Sequence, residues 1–305
     1  MSVLADNNLK QVNREVAEVF GLALTSRDNK WGEVFSEKTP TRKDEKTTII
    51  KLDNSVTETT DGGAFTSNNI KELGDYTITQ KIFKDKISLG DFAEEFDNYG
   101  KIKQAAMEKG SDYAYQMDAL AVAFLNNPTS TTAPYGFIVD GSSTKTPLLY
   151  ATQPIGDTGS TQNNIQTGGF TKANLNSAIV KLVQMKRHNG NIAGYNARRI
   201  VCTPTEAMAV WQVLNSVGEP ETADRATNYI NTLGIKPIVW DLLTTTTTSF
   251  LMGDKMVTPH LIYFIKLRPS MQSIRNQNTG NIEYQFKMML QAGICDMQGI
   301  VGITA

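Results

Sequence analysis

The stretch YTITQKIFKDKISLGDFAEEFDNYGKIKQAAMEKGSDYAYQMDALAVAFLN, residues 76–126, holds the longest ordered pattern in the chain. Its first part alternates as a strand does. Tyr76, Ile78, Gln80 and Ile82 share one face, after which the phase slips and Phe83, Ile87 and Leu89 become the inward set. Strand side chains alternate with a period of two, so a one-residue slip marks a bulge or a bend. The last part has helical spacing: Ile102, Ala106, Tyr113, Met117, Leu120 and Phe124 form one stripe, with Gly110 and Ala121 permitting close approach. Residues 101–126 predict a helix on the order of 38 Å long. Asn126-Asn127-Pro128 ends it, because a residue before proline avoids helical backbone. Between strand and helix, Asp91, Glu94, Glu95 and Asp97 could chelate a hard cation or complement the positive end of the helix.

Working towards the N-terminus, residues 27–75 are rich in Thr, Ser, Asn, Asp, Glu and Lys, with short strand-like islands such as residues 47–50. Composition suits a solvated loop. Nearly fifty residues without structure would be unusual in a compact domain, however, and a two-stranded arm is the alternative. Before it, residues 6–24 read as an amphipathic helix, with Asp6 and Asn7 as caps and Leu9, Val12, Val16, Val19 and Ala23 on one stripe. That stripe must pack on this chain or on a neighbour. Residues 1–25 and 45–72 are expected to be dispensable for folding of the remaining core.

Towards the C-terminus, residues 128–169 are rich in Thr, Ser, Gly and Pro. Residues 171–188 predict a second long helix with Leu175, Ala178, Ile179, Leu182 and Val183 inward, Lys186, Arg187 and His188 in its last turn, and Gly190 as its stop. Residues 199–202 form a short buried strand that runs into Thr203-Pro204-Thr205-Glu206, read as a capping box opening a helix that carries Met208, Trp211, Val213 and Leu214. A strand over 235–242 contains Pro237 and belongs at a sheet edge. Residues 244–248 are a threonine run that favours extended backbone. Strands over 261–267, 271–275, 282–291 and 300–304, with a turn at 278–281, predict an antiparallel set.

With 305 residues the chain is ample for a buried core. Its 30 Lys and Arg against 31 Asp and Glu leave a net charge of −1, which disfavours tight, sequence-independent nucleic-acid binding. No stretch reaches the roughly 20 consecutive apolar residues of a membrane helix, and the first twenty residues lack the pattern of a secretory signal. Cys202 and Cys295 cannot make a disulfide framework or a metal motif. His188 and His260 are the only histidines, with no nucleophile elbow and no phosphate-binding glycine loop to go with them. Asp157-Thr158-Gly159-Ser160 resembles the aspartic-protease tetrapeptide, but that chemistry needs two carboxylates sharing a proton and the flanks are polar. Trp31, Trp211 and Trp240 are dispersed and suggest packing. No catalytic residue, cofactor or metal ligand is expected, and the pattern favours a structural protein.

The succession of terminal helix, polar two-stranded arm, strand, long helix, Thr/Gly-rich stretch, helix–strand–capped helix and β-rich end resembles the major capsid protein family of tailed double-stranded-DNA phages. The resemblance rests on residues 84–92 leading into the 101–126 helix, Val139-Asp140-Gly141, Asn189-Gly190 and the 201–206 boundary. It implies an α+β, Hong-Kong-97-type fold with an N-terminal arm (1–35), an extended loop (36–80), a peripheral domain with a spine helix (81–134), an axial domain (135–260) and further peripheral strands (261–305). It also implies a chain that assembles into hexamers and pentamers of an icosahedral head around double-stranded DNA, in the virion, after assembly in the host cytoplasm. A separate scaffolding protein and a portal are the expected partners, since no scaffolding segment precedes the arm. Assembly contacts are expected at Leu9, Val12, Val16, Val19, Lys43, Lys46, Lys51 and Phe65, without crosslinking of the lysines. An encapsulin-like compartment shares the implied fold, and a hydrolase using Asp157 is the reading from another class.

Overall fold

The computed structural model describes residues 2–52, 58, 61, 69–90, 99–132, 134–138, 145–156, 159–216, 228–244, 248–254, 261–276 and 280–305; over 2–10 and at 52, 99, 137 and 138 only the backbone is described. In chain order the elements are α1 (Ser2–Ser26), α2 (Trp31–Val34), β1 (Ser36–Lys38), β2 (Asp44–Leu52), β3 (Ile70–Thr79), β4 (Lys81–Leu89) and α3 (Tyr99–Asn126). The short strands β5 (Phe137–Ile138), β6 (Lys145–Thr146), β7 (Gln153–Ile155), β8 (Ser160–Gln162) and β9 (Ile165–Thr167) follow. Next come α4 (Lys172–Val183), β10 (Ala197–Cys202), α5 (Ala207–Asn215), α6 (Tyr229–Thr232), β11 (Lys236–Val239) and β12 (Thr248–Gly253). The chain ends with β13 (Leu261–Arg275), β14 (Ile282–Ile294) and β15 (Ile300–Thr304). Contacts divide it into two units: Met1–Lys43, Thr79–Ala121 and Tyr263–Ala292, and the remainder.

The first unit is built on a sheet in the order β1-β13-β14-β4. Strands β14 and β4 run antiparallel from Ile282 opposite Leu89 to Leu290 opposite Lys81. Tyr284, Phe286, Met288 and Leu290 are all buried, the period-two signature of a sheet with one face on a core. Helix α3 supplies that core with Ile102, Ala106, Tyr113 and Met117, as its spacing predicts, while Leu120 is only half-buried. Helix α1 packs on it through Phe20, whose ring meets Tyr113 edge-on at 6.1 Å and Phe286 at 5.0 Å. Gly110 makes the approach possible, since a Cβ there would lie 2.6 Å from both Ala23 Cβ and the carbonyl oxygen of Phe20. Tyr263 donates its hydroxyl hydrogen to the Met117 carbonyl at 2.8 Å and packs against Trp31, the ring centroids 4.7 Å apart and the planes tilted by 40°. The buried Asp118 accepts from the Trp31 backbone N–H at 3.1 Å and lies 3.6 Å from the Arg27 guanidinium, tying the turn after α1 to the long helix.

The phase slip read in residues 76–89 is a real break. Strand β3 ends at Thr79, Gln80 stands outside both strands, and Ile82 is exposed on the far side of the slip. The Gln80 backbone donates to the Lys43 carbonyl at 3.0 Å and its amide to the Arg42 carbonyl at 2.7 Å. These bonds hold the interrupted backbone in place of the missing ladder.

The second unit contains a five-stranded sheet in the order β11-β10-β12-β15-β9. Strand β11 is an edge strand, as Pro237 requires, and pairs parallel to β10. One face of the sheet presents Ile200, Cys202, Leu251, Val301 and Ile303 to α4, α5 and α6, which contribute Leu175, Ala178, Leu182, Val210, Val213, Leu214 and Ile230. On the other face Leu149 lies over Gly302, where a Cβ would come within 2.2 Å of its Cδ1. The strands β2 and β3 form a separate two-stranded sheet in this unit.

Four sequence expectations are corrected. Helix α4 stops at Val183, so Lys186, Arg187 and His188 are not its last turn. Instead Ala193 donates to Met185 and Arg187 to Asn191, and Gly190, at φ 86°, turns the chain between them. The capping box at Thr203 is half made: the Thr203 hydroxyl accepts from the Glu206 N–H at 3.3 Å, but the Glu206 carboxylate is taken by the Ser249 hydroxyl at 2.6 Å. The strands at 261–267 and 271–275 are one strand, β13. Finally, 300–304 does not join the antiparallel set: β15 pairs antiparallel with β12 and parallel with β9.

Candidate assembly surfaces

The stripe of α1 divides between two fates. Val16 is fully buried within its own chain, with Phe20 and Ala23, so it has no surface left for a neighbour. Val12 and Val19 are half-buried, and Leu9 lies where only the backbone is described. Helix α1 is therefore a part of the core, and the expectation that residues 1–25 are dispensable for folding is corrected by three buried apolar side chains. Lys103 of α3 pairs with Glu15, whose carboxyl its ammonium holds below the ordinary range.

The polar arm is also less bare than its composition suggests. Ile49, Leu73, Tyr76 and Ile78 are buried in the second unit, and Gly293 leaves room for Ile78, whose Cδ1 lies 2.2 Å from where a Cβ would sit. Ile50 and Ile70, by contrast, are 58% and 69% exposed on the same pair of strands. Among the lysines, Lys43 is exposed and gives its carbonyl to Gln80. Lys46 bonds Asp75 at 2.5 Å, and that hydrogen bond, followed by the one from Thr48, draws the Asp75 carboxyl below its usual range. Lys51 is half-buried, its stem beside Gly156. Phe65 lies outside the described residues.

An uncharged face on α5 escaped sequence reasoning. Met208, Trp211, Gln212 and Asn215, at i, i+3, i+4 and i+7, are all exposed, and Tyr229 at the start of α6 is exposed as well. Trp211 is thus not a packing residue of its own chain, unlike Trp240, which is buried, and Trp31, which packs against the tilted ring of Tyr263. The available signal was the absence of any charge in AMAVWQVLN, since the outer face of a surface helix ordinarily carries charges.

The residues with chemical potential are used structurally. His188 is buried with its Nε2 at 2.9 Å from Asp296, whose other oxygen accepts from the Met297 N–H at 2.7 Å. Burial pushes the Cys202 thiol up to about 11, far from a reactive thiolate. Asp157, His260 and the acidic cluster at 91–97 lie outside the described residues. Among the described residues no group of His, Cys, Asp or Glu could hold a metal ion, and no helix is long and apolar enough to cross a membrane.

A family model described as phage capsid protein matches residues 72–302, which takes in α3 and nearly all of both sheets. No curated protein matches the chain by sequence. Among solved structures, the capsid of cyanophage P-SCSP1u is similar with a TM-score of 0.56 and 14% identity, over 90% of this chain and 87% of that one. The virus-like particle from Pyrococcus furiosus gives a TM-score of 0.54 and 10% identity, over 95% of this chain and 98% of that one. The procapsid of bacteriophage JBD30 gives 0.51 and 13%, over 100% of this chain and 76% of that one. At such identities the structural likeness is one of fold, and it agrees with the family match and with the α+β arrangement described above. The chain belongs to the phage capsid protein family, as a major capsid protein with the Hong-Kong-97-type fold.

Proposed function

We propose that many copies of this chain form, as hexamers and pentamers, the icosahedral head of a tailed phage, enclosing double-stranded DNA without reading its sequence. The observation that carries this reading is the capsid-family match over 72–302. The near-zero charge supports it, because a strongly basic wall would bind packaged DNA and hinder its movement. In this reading the unit of 1–43, 79–121 and 263–292 is the peripheral domain with α3 as spine, the five-stranded unit is the axial domain, and 44–78 is the extended loop. That loop lies over a neighbouring copy, using Ile50 and Ile70 beside the lysines, and Lys46 stays uncrosslinked in its pair with Asp75. A scaffolding protein and a portal act as partners on the strength of the resemblance, with assembly in the host cytoplasm. An encapsulin-like compartment is the second reading, favoured by the likeness to the Pyrococcus furiosus virus-like particle.

Nuclease treatment of particles from infected cells, followed by extraction, separates the two readings. Protected double-stranded DNA of uniform length is expected. Particles filled with a protein cargo and devoid of DNA would overturn the head reading in favour of the compartment.

A further inference from the structure

The exposed face of α5 and α6 has the composition of an interface core. Met208, Trp211 and Tyr229 are 63%, 57% and 66% exposed. Residues 207–216 and 228–235 contain no charged side chain. Glu206 and Lys236 flank these stretches, and the Glu206 carboxylate accepts from the Ser249 hydroxyl. Met and aromatic residues are enriched, and charges depleted, at the centres of protein interfaces. Among the described residues of α5 and α6, a charged partner would find no side chain of opposite sign.

We propose that this face is the hot spot of a contact between neighbouring copies of the chain in the shell. The inference rests on the shell reading and names the surface that reading would use. Two arguments point to a second copy as the occupant. In a capsid protein the partner present at every position of the wall is the chain itself. The area also fits. With side chains of this size exposing roughly 150–250 Å² when free, the three leave on the order of 400 Å² uncovered. That is about half of the roughly 800 Å² per partner of a stable pairwise interface. It lies within the range of about 300–600 Å² at which a monomer's largest apolar patch is often functional. A contact of this size is too small to hold two molecules together in dilute solution. Repeated around a closed ring it suffices, because each copy then presents this face to one neighbour and a different surface to the other.

The test compares assembled shells, free of any scaffolding protein, with subunits dissociated from them, by hydroxyl-radical footprinting read by mass spectrometry. Met208, Trp211 and Tyr229 are expected to be oxidised roughly tenfold less in the shell, as full burial of a hot spot implies. Two variants complete it. Trp211→Ala removes the anchor, and Gln212→Glu adds one charge to the face at an exposed helical site where glutamate is as good a helix former. Both should melt as the wild-type subunit does, yet need a roughly tenfold or higher protein concentration to form shells. Equal oxidation in shell and subunit, or shells from both variants at the wild-type concentration, overturns the inference and leaves the shell reading standing. Protection seen only while a scaffolding protein is bound assigns the face to that protein and overturns it too. A wild-type chain that forms no shell sinks both.

Discussion

Replacing Gly110 by alanine should weaken the molecule, although the same change in a free helix would strengthen it. The added methyl would stand 2.6 Å from Ala23 Cβ and 2.6 Å from the Phe20 carbonyl oxygen, with the Leu24 nitrogen at 3.4 Å. All three belong to the backbone of α1 or to its first side-chain carbon, so none can swing aside as the end of a long side chain would. Helix propensity favours alanine by about 1 kcal/mol. Overpacking costs roughly 1–3 kcal/mol, the upper part of that range where a helix must shift bodily. The expected net effect is a loss of about 1–2 kcal/mol. Gly21 is the internal control. It lies in α1 itself, exposed, with nothing within 4 Å of its would-be Cβ, so Gly21→Ala should gain about 0.5–1 kcal/mol. Thermal melting of dissociated subunits should therefore move in opposite directions for the two variants, by about 2–4 °C per kcal/mol in a chain of this size. Amide exchange over residues 13–26 should accelerate in Gly110→Ala alone. If both variants raise the melting temperature, α1 does not sit on α3 of its own chain, and the account of the first unit is wrong.

Asp85 on β4 accepts a hydrogen bond from Lys109 of α3, which, with the Lys86 backbone N–H, holds its carboxyl below the ordinary 3.8 despite some burial. Because the folded value is the lower one, this contribution is complete above 3.8 and is lost as the pH falls through the depressed value. For a pair this exposed it is about 0.2–1 kcal/mol. Asp85→Asn should thus be less stable than wild type at pH 7, with the gap closing in acid; a gap that persists in acid would show that the ion pair is not its source. In the second unit, Gly302→Ala should cost about 1–3 kcal/mol by pressing on Leu149, and Leu149→Ala about 2–5 kcal/mol by leaving a cavity. Combined, they should cost less than their sum, by about 0.5–3 kcal/mol in denaturant titrations; strict additivity would mean that the two residues do not share that space.

How far the sequence could be read depended on how local the deciding physics was. The long helix, the break at Gln80, the buried strand ending in Cys202 and the edge position of Pro237 all follow from spacing, cap chemistry or a missing N–H within a few residues. The stretch VQMKRHNG, residues 183–190, suits a helix locally, yet α4 stops at Val183. The backbone bonds that end it come from Asn191 and Ala193, after a turn at Gly190. The partner of β15 could not be read from 300–304, since its neighbours β12 and β9 lie far back in the chain. The α1 stripe was legible as a stripe, but its counterpart was not. Only Gly110 hinted that the long helix would receive it. At the candidate surfaces the lysines drew attention because they are conspicuous, whereas the α5 face is defined by charges that are missing.

The most direct measurement is an electron cryo-microscopy reconstruction of the purified protein at a resolution that shows helices. Closed icosahedral shells are expected, with the 28-residue rod of Tyr99–Asn126 repeated in every copy of the wall. A species sedimenting at 33.6 kDa in every condition that supports phage head assembly, scaffolding protein included, would contradict the account.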